Sequence, residues 1–194
     1  MDLTVITSTR QRPQWLAMCL EQFRQQDRSG FTAQHLVVAD GPDPESRYLA
    51  TQWGATFVEL DRPGGRWGAA AKDAGIALAL GSHVCFWDDD NLYEPHALKT
   101  LWQAAREVDI GVVRCRYRCR KRVGQIIIPR IWRGQFRKGD IDTMCVCVRK
   151  TLAAQESWLG DESVGICTDH DWLRRLSTRT SAITFDPTVI GWHL

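Results

Sequence analysis

The stretch His83-Val84-Cys85-Phe86-Trp87-Asp88-Asp89-Asp90-Asn91 joins a short apolar run to three consecutive carboxylates. The apolar run predicts a buried strand, and the carboxylates follow at its carboxyl end. Three adjacent carboxylates repel each other unless water or a cation screens them, and Mg²⁺ and Mn²⁺ bind through one or two carboxylates together with substrate phosphates. Ligands of open α/β sheets lie outside the carboxyl ends of strands. The triplet therefore indicates a metal that holds a phosphorylated substrate; a solvated acidic turn that caps the next helix is the alternative.

The length and composition are typical of one globular domain. The chain has 194 residues, of which 44% are hydrophobic and 25% are charged. No apolar run approaches the roughly 18 residues of a membrane span. The opening Met1-Asp2-Leu3-Thr4-Val5-Ile6 lacks the positively charged region of a signal peptide. Seven cysteines form no Cys-x-x-Cys pair, and several lie in apolar runs, which predicts reduced thiols and a cytoplasmic location.

Strand and helix patterns alternate along the first half of the chain. Strands are predicted at 3–7, 35–39, 55–60 and 83–87. Helices are predicted to begin near Pro13, Ala69 and Pro95, and a further helix between the second and third strands ends near Trp53. This alternation predicts an α/β fold with a doubly wound, mostly parallel sheet. The second half is richer in strands: a basic hairpin, a strand at 143–148, a helix near 169–176 and short extended pieces to 194.

Polar residues follow three of the predicted strands, at the points where a doubly wound sheet places a ligand. The segments are Thr7-Ser8-Thr9-Arg10-Gln11-Arg12, Asp40-Gly41 and the Asp triplet. Asp40 could accept hydrogen bonds from a base or a ribose, and the triplet could hold a metal on a diphosphate.

These segments, in this order, resemble the nucleotide-sugar half of GT-A fold glycosyltransferases, closest to the family-2-like inverting enzymes. The resemblance covers the first 100 residues and is carried by four pieces: Val5-Ile6-Thr7-Ser8-Thr9-Arg10-Gln11-Arg12-Pro13, Val37-Val38-Ala39-Asp40-Gly41, Gly64-Gly65-Arg66-Trp67-Gly68-Ala69-Ala70-Ala71-Lys72-Asp73-Ala74-Gly75 and Phe86-Trp87-Asp88-Asp89-Asp90-Asn91. It implies one GT-A domain over residues 1–194, with a nucleotide-sugar half to about residue 100 and an acceptor half after it.

The resemblance also implies site residues. The residues that it assigns to the nucleotide sugar are Thr7, Thr9, Arg12, Asp40, Arg66, Lys72, Asp73, Asp88 and Asp89. Those that it assigns to a bound Mn²⁺ or Mg²⁺ are Asp88, Asp90 and His193. Lys72 and Asp73 stand where the family often has an Arg-Asn pair. Because both residue types differ from that pair, the resemblance is weaker at these two positions.

The second half resembles the family more loosely. Cys167-Thr168-Asp169-His170-Asp171 matches a Glu-Asp pair that opens a helix and supplies the catalytic base, with Thr168 in place of the Glu. Asp169 aligns as the base, and Asp171 is the alternative. A purely structural explanation is that Thr168 or Asp169 caps the helix. Gly139, Asp140 and Asp142 fall in the segment that borders the acceptor.

The implied activity is metal-dependent transfer of one sugar, with inversion, from a nucleoside-diphosphate sugar to a saccharide or lipid-linked acceptor. A UDP-sugar is the favoured donor, and a lipid-linked acceptor would bring the chain into peripheral contact with a membrane. The Gln-x-x-Arg-Trp motif of processive synthases is absent, which favours single transfer. A nucleotidyltransferase is one alternative, disfavoured because no glycine follows the first strand. A catalytically silent nucleotide-sugar-binding domain is the other.

Positive charge is concentrated in one segment. Residues 114–138 hold ten Lys or Arg and no Asp or Glu, and five arginines recur at every second position from Arg114 to Arg122. On a strand this period places all five on one face. We interpret that face either as solvated surface or as an electropositive wall on the acceptor side. The near-neutral net charge of +2 and the acidic triplet argue against nucleic acid as a partner.

Overall fold

The computed structural model describes residues 1–118, 125–160 and 169–194. Within these ranges the strands are β1 (Leu3–Thr9), β2 (Ala33–Ala39), β3 (Thr56–Glu59), β4 (His83–Phe86), β5 (Leu92–Tyr93), β6 (Ile110–Arg118), β7 (Gln125–Ile128), β8 (Val146–Arg149) and β9 (Ile183–His193). The helices are α1 (Pro13–Arg24), α2 (Pro44–Gln52), α3 (Ala69–Leu78), α4 (Ala97–Ala105), α5 (Lys150–Ala153) and α6 (Asp169–Ser177).

The described strands form one mixed sheet in the order β3-β2-β1-β4-β8-β6-β9-β5, with β7 paired to β6. From β3 to β4 the neighbours are parallel. The remaining pairs are antiparallel except β6 with β9. In the parallel part, Leu3 pairs with both Ala33 and His83, so the carboxyl ends of β1, β2 and β4 lie at the same edge. The predicted α/β sheet is confirmed, and its parallel part is the half that carries the polar strand ends.

Helices cover both faces of the parallel strands. Leu16 and Leu20 of α1 pack with Val37 of β2 on one face. Leu36, the neighbour of Val37, points to the opposite face and packs in the same cluster as Ile76 of α3. Both faces of the central strands are therefore buried, which explains why their sequences are apolar throughout instead of alternating.

The second half differs from its prediction in two elements. The strand predicted at 143–148 is a 3-10 turn at Thr143–Cys145 followed by β8. The short extended pieces predicted at the end of the chain are a single eleven-residue strand, β9. Its pairing with β6 shifts register between Val112 and Arg114 and again between Arg114 and Arg116. These irregularities let a strand that contains Pro187 and Gly191 stay in the sheet.

In the described part of the chain, no helix is both long and apolar enough to cross a membrane. Five cysteines in the same ranges are buried and free, in agreement with the predicted reduced thiols: Cys19, Cys85, Cys115, Cys145 and Cys147. Cys119 and Cys167 lie outside the described residues.

His35 is an ionisable group enclosed in the parallel part of the sheet. Its Nε2 lies 2.9 Å from Thr7 Oγ1, and its ring stacks on Phe23 at a centroid distance of 4.4 Å. Its Nδ1 is buried without a partner among the described residues. Burial lowers the pKa of His35 from 6.5 to about 3, because the interior does not solvate an imidazolium ion.

We expect His35 to make folding stability depend on pH. Between pH 6.5 and 3 the unfolded chain binds a proton at His35 that the folded chain does not, so stability falls as the pH falls. The contribution to the slope is at most about 1.4 kcal/mol per pH unit. Urea unfolding of the wild type and of His35→Gln at several pH values in this window should give a shallower pH slope for the variant. Equal slopes would contradict a buried neutral histidine.

Candidate active site

The polar ends of β1, β2 and β4 open into one cavity of about 680 Å³, here called the polar cavity. Thr9 is the last residue of β1, Asp40 directly follows β2, and Asp88 and Asp90 lie just after β4. The parallel register brings these residues together although they are separated by up to about 80 positions in the sequence. The cavity therefore lies where the sequence placed a phosphorylated ligand.

The three carboxylates of the triplet have different surroundings. Asp88 and Asp90 line the polar cavity, with side chains 29% and 38% exposed. Asp89 is buried, accepts a hydrogen bond from Thr9 Oγ1 at 2.7 Å and forms an ion pair with Arg12. Burial raises the pKa of Asp89 to about 6. Asp89, which the resemblance assigned to the nucleotide sugar, instead fixes Thr9 and Arg12 in place.

The repulsion within the triplet is screened by two cations of the chain itself. Arg12 Nη1 lies 2.9 Å from Asp90 Oδ2, and Lys72 Nζ lies 3.5 Å from Asp88 Oδ1. The guanidinium also pairs with Asp89. Arg12 and Lys72 thus come from two different elements to the same edge of the sheet, as the predicted nucleotide-sugar set requires.

Lys72 is a buried cation among carboxylates. Its ammonium also lies 4.7 Å from the centre of the Trp158 ring. Burial by itself would lower the pKa of Lys72, but the nearby carboxylates of Asp88, Asp169 and Asp142 outweigh burial and raise it above its ordinary value. The ammonium therefore remains charged at the centre of the site.

At the other end of the polar cavity, Asp40 anchors the loop that precedes α3. Its carboxylate accepts hydrogen bonds from Gly64 N at 2.6 Å and Gly65 N at 3.1 Å. Arg10 Nη1 lies 3.9 Å from the same carboxylate and lines the cavity together with Ser8. Sequence reasoning did not select Ser8 or Arg10.

Like Asp89, two further predicted nucleotide-sugar residues line neither the polar cavity nor its neighbour described below. Thr7 is fully buried, and its hydroxyl contacts His35 in the core. Asp73 accepts hydrogen bonds from Ser157 Oγ at 2.6 Å and Trp158 N at 2.7 Å, so its carboxylate ties α3 to the segment after α5.

A second cavity of about 590 Å³, here called the mixed cavity, shares six lining residues with the polar cavity. The shared residues are Arg66, Trp67, Lys72, Asp142, Asp169 and His193. Its remaining wall is largely apolar and includes Tyr117, Ile128 and Trp158. A polar compartment and a partly apolar compartment therefore meet at a group of carboxylates and cations.

Asp169, predicted as the base, lies at this junction. It is the first residue of α6, and its Oδ2 accepts a hydrogen bond from Thr143 N at 3.3 Å. Asp171, the alternative, lines neither cavity and forms ion pairs with Arg174 and Arg175 on its own helix. Of the two candidate bases, the structure brings only Asp169 to the cavities.

Asp142 and His193 form a pair at the same junction. His193 Nε2 lies 3.3 Å from Asp142 Oδ2, and the ring stacks on Tyr117 at a centroid distance of 4.7 Å. Burial raises the pKa of Asp142 well above its usual range, and the carboxylates of Asp169 and Asp88 raise it further. Among the other predicted acceptor-side residues, Gly139 lines the mixed cavity. Asp140 does not line it, because its carboxylate is bonded to Arg130.

Comparison with known proteins identifies the family. The model of Glycosyl transferase family 2 matches residues 4–153, which is more than half of the chain. The chain belongs to this family. The match includes the polar strand ends, α3 and the Asp triplet, and it ends before α6.

Solved structures share the fold of this family-2 chain. S. aureus TarS 1-349 superposes with a TM-score of 0.70 at 15% identity, over 99% of this chain and 60% of that one. A mannosyltransferase from Pyrobaculum calidifontis, in complex with GDP-Man and Mn²⁺, superposes with a TM-score of 0.66 at 18% identity, over 98% of this chain and 56% of that one. Glucosyl-3-phosphoglycerate synthase from Mycobacterium tuberculosis, in complex with Mn²⁺, UDP and glucosyl-3-phosphoglycerate, superposes with a TM-score of 0.64 at 15% identity, over 100% of this chain and 72% of that one.

These likenesses confirm the GT-A type of fold. This chain spans 60% of TarS 1-349 and 56% of the mannosyltransferase, so both comparison proteins contain further chain.

The donor atoms of the family-2 site fit a hard divalent cation shared with a substrate. Asp88 and Asp90 present partly exposed carboxylates to one cavity, and Mg²⁺ and Mn²⁺ prefer oxygen ligands, several of which a diphosphate supplies. Within the described ranges, no group of three His, Cys, Asp or Glu residues is arranged to hold a metal ion. His193 lines the cavity with a buried Nδ1 that lacks a partner among the described residues, while its Nε2 is paired with Asp142. The chain would therefore contribute few ligands, and a substrate would have to complete the set.

The basic strand faces away from both cavities in its described part. Tyr117 lines the mixed cavity, so its neighbours Arg116 and Arg118 lie on the opposite face of β6. The Arg116 guanidinium lies 4.9 Å from the centre of the Trp192 ring and 3.7 Å from Glu94. Arg116 and Arg118 therefore line neither cavity, which favours the interpretation of this face as solvated surface. Arg120 and Arg122 lie outside the described residues.

Proposed function

We propose that this chain transfers one sugar from a nucleoside-diphosphate sugar to an acceptor hydroxyl, with inversion at the anomeric carbon and with Mn²⁺ or Mg²⁺ as cofactor. The observation that carries the proposal is Asp169 at the junction of a polar and a partly apolar cavity. A donor in one compartment and an acceptor in the other would meet at this carboxylate. Family membership supports the reaction class.

In this proposal the nucleoside binds near Asp40 and Arg10, and the diphosphate lies near Asp88 and Asp90. A divalent cation held by these two carboxylates would neutralise the diphosphate as it leaves. Lys72 adds a second positive charge beside Asp88 that needs no cofactor. Structurally similar proteins have been solved with bound UDP and with bound GDP-Man and Mn²⁺, which supports a nucleoside-diphosphate sugar as the donor.

Asp169 acts in the proposal as the general base. It removes the proton from the acceptor hydroxyl while the oxygen attacks the anomeric carbon, and the proton stays on Asp169 Oδ until it passes to solvent. Attack from the face opposite the leaving diphosphate, with no covalent intermediate, inverts the anomeric centre. Positioned proton transfer of this kind contributes about 10²- to 10⁴-fold to the rate. The acceptor is a saccharide or a lipid-linked saccharide, and the cytoplasm is the proposed location.

The test is a thermal-unfolding screen of the chain with UDP, GDP, ADP and CDP, each with Mn²⁺, with Mg²⁺ and with EDTA. We expect one nucleoside diphosphate to stabilise the folded state, by about 2.7 kcal/mol at a hundredfold excess over its Kd. UDP is the expected ligand. The matching nucleoside monophosphate is the control, because it lacks the second phosphate that the carboxylates and a cation would hold. No stabilisation by any diphosphate would refute a donor site in the polar cavity.

A further inference from the structure

The loop before α3 holds an unusual backbone conformation beside the junction of the two cavities. Four consecutive residues, Gly65, Arg66, Trp67 and Gly68, have φ values of 63°, 54°, 52° and 75°. Left-handed backbone is unfavourable for residues that carry a Cβ, and Arg66 and Trp67 are two such residues in sequence. Unfavourable backbone of this kind persists only where the surrounding structure imposes it, and it concentrates at ligand sites.

Contacts on both sides impose this conformation. Asp40 accepts hydrogen bonds from Gly64 N and Gly65 N at the start of the loop. At its end, a Cβ on Gly68 would lie 2.7 Å from Ser8 Oγ, so only glycine allows α3 to begin this close to β1. The loop is therefore fastened to β1 and β2, and its two middle side chains are held outward.

The result is an indole ring presented to ligand space. Trp67 is 75% exposed and lines both the polar and the mixed cavity. A large apolar ring is normally buried, and an exposed one fixed by a strained loop at a cavity indicates a ligand that covers it. Across the mixed cavity, Tyr117, Ile126 and Ile128 add apolar wall, while Asp142 and Asp169 add hydrogen-bond acceptors.

A pyranose ring matches this combination of surfaces. One face of such a ring is made of C–H groups that pack on an aromatic plane, while its hydroxyls point outward to polar groups. A compact phosphorylated acid could pair with the cations that also line this cavity, Arg66, Lys72 and Lys138, but it would gain little from an indole or from isoleucines. We propose that Trp67 is the stacking platform of an acceptor subsite in the mixed cavity and that the acceptor is a pyranoside whose attacked hydroxyl faces Asp169. This inference rests on the proposed function, because it takes the polar cavity as the donor compartment.

The test measures binding, so it does not require the natural acceptor. The probes are methyl glycosides of glucose, galactose, mannose and N-acetylglucosamine, with 3-phosphoglycerate as a non-sugar probe. Their binding is followed by saturation-transfer NMR in the presence of the nucleoside diphosphate and Mg²⁺, which is diamagnetic and does not broaden the ligand signals. The variants are Trp67→Ala and Trp67→Phe. Trp15→Ala is the matched control, because Trp15 is also exposed, at 41%, but lies on α1 and lines neither cavity.

We expect at least one glycoside to bind the wild type through its ring C–H protons. Trp67→Ala should weaken this binding about tenfold, the effect of truncating a central aromatic contact. Trp67→Phe should recover part of the affinity, and Trp15→Ala should match the wild type. Affinity for the nucleoside diphosphate should match the wild type in Trp15→Ala. In the Trp67 variants it should fall less than glycoside affinity, because Trp67 borders the polar cavity but the carboxylates and cations proposed to hold the diphosphate are unchanged.

Three results would overturn the inference. They are binding of 3-phosphoglycerate but of no glycoside, glycoside binding that Trp67→Ala leaves unchanged, and a loss in Trp67→Ala that affects a nucleoside-diphosphate sugar more than the glycosides. The last result would make Trp67 a platform for the donor sugar. The affinity for the nucleoside diphosphate is measured in the same samples. If the proposed function is wrong, the wild type does not bind the nucleoside diphosphate; if only the acceptor subsite is wrong, the wild type still binds it.

Discussion

Replacing Asp169 with asparagine should lower the rate of sugar transfer by about 10²- to 10⁴-fold, the contribution of a positioned general base. Asparagine keeps the size of the side chain and can still accept the hydrogen bond from Thr143 N, but it cannot take a proton from the acceptor. Affinity for the nucleoside diphosphate should change little. The measurement is kcat at saturating donor and acceptor, with Kd for the nucleoside diphosphate determined in parallel.

Asp171→Asn is the matched control for this prediction. It makes the same chemical change two positions along α6, at a carboxylate that lines neither cavity and pairs with Arg174 and Arg175. We expect it to lose some helix stability and to retain most of the transfer rate. If Asp171→Asn stops transfer while Asp169→Asn does not, the base is Asp171 and the geometry of the two cavities has been misinterpreted. Nucleotide binding without transfer in the wild type would favour a silent binding domain.

The parallel half of the fold was predictable because its signals are local. Each strand is a short apolar run, each is followed by a polar or turn-forming residue, and helices separate them. Parallel strands in one sheet must bring their carboxyl ends to the same edge, so the order of elements along the chain is enough to place Asp40 near the Asp triplet. The resemblance to a family then added roles that local signals do not contain.

Local sequence signals did not predict which side chains at the end of a strand reach the cavity. Ser8 and Arg10 line the polar cavity, whereas Thr7 faces the core beneath α1. Because helices bury both faces of β1, its residues show no polar and apolar alternation from which the outward positions could be recognised. The same uncertainty of face applied to β6, where Tyr117 and not Arg116 lines a cavity.

Tertiary partners decided the remaining differences. Asp73 and Asp140 have the residue type and position of ligand-binding carboxylates. Their carboxylates instead accept hydrogen bonds from Trp158 N and Arg130 Nε, which fix neighbouring loops. Nothing in the neighbouring sequence indicates these contacts, since the partners are 85 and 10 positions away. Similarly, β9 is continuous because β6 pairs with it, and its own sequence, which contains Pro187, predicts interruption.

The second large effect concerns the metal. Asp90→Ala should abolish the difference that Mn²⁺ makes to the affinity for a nucleoside diphosphate, a difference that we expect to be at least about tenfold in the wild type. The variant loses one of the two carboxylates that line the polar cavity after β4. It also releases Arg12 Nη1, which in the wild type lies 2.9 Å from Asp90 Oδ2.

The freed Nη1 of Arg12 gives this prediction a second, opposite component. A charged arginine N–H forms a strong hydrogen bond to a phosphate oxygen, so Nη1 can then contact the diphosphate directly while Nη2 stays paired with Asp89. Metal-free affinity of Asp90→Ala should therefore equal or exceed that of the wild type, while its affinity with Mn²⁺ should be lower. Calorimetric titration of UDP and GDP, with Mn²⁺ and with EDTA, measures both quantities. A cation site that did not involve Asp90 would leave the Mn²⁺ effect intact in the variant.

Asp27→Ala is the control for loss of one negative charge. Asp27 pairs with Lys99 on the surface and lines neither cavity, so it should show the wild-type response to Mn²⁺. Equal affinity of the wild type with and without Mn²⁺ would mean that Arg12 and Lys72 suffice as counter-ions for the diphosphate. In that case the two buried or half-buried cations that screen the triplet in this structure would also be the groups that stabilise the leaving diphosphate.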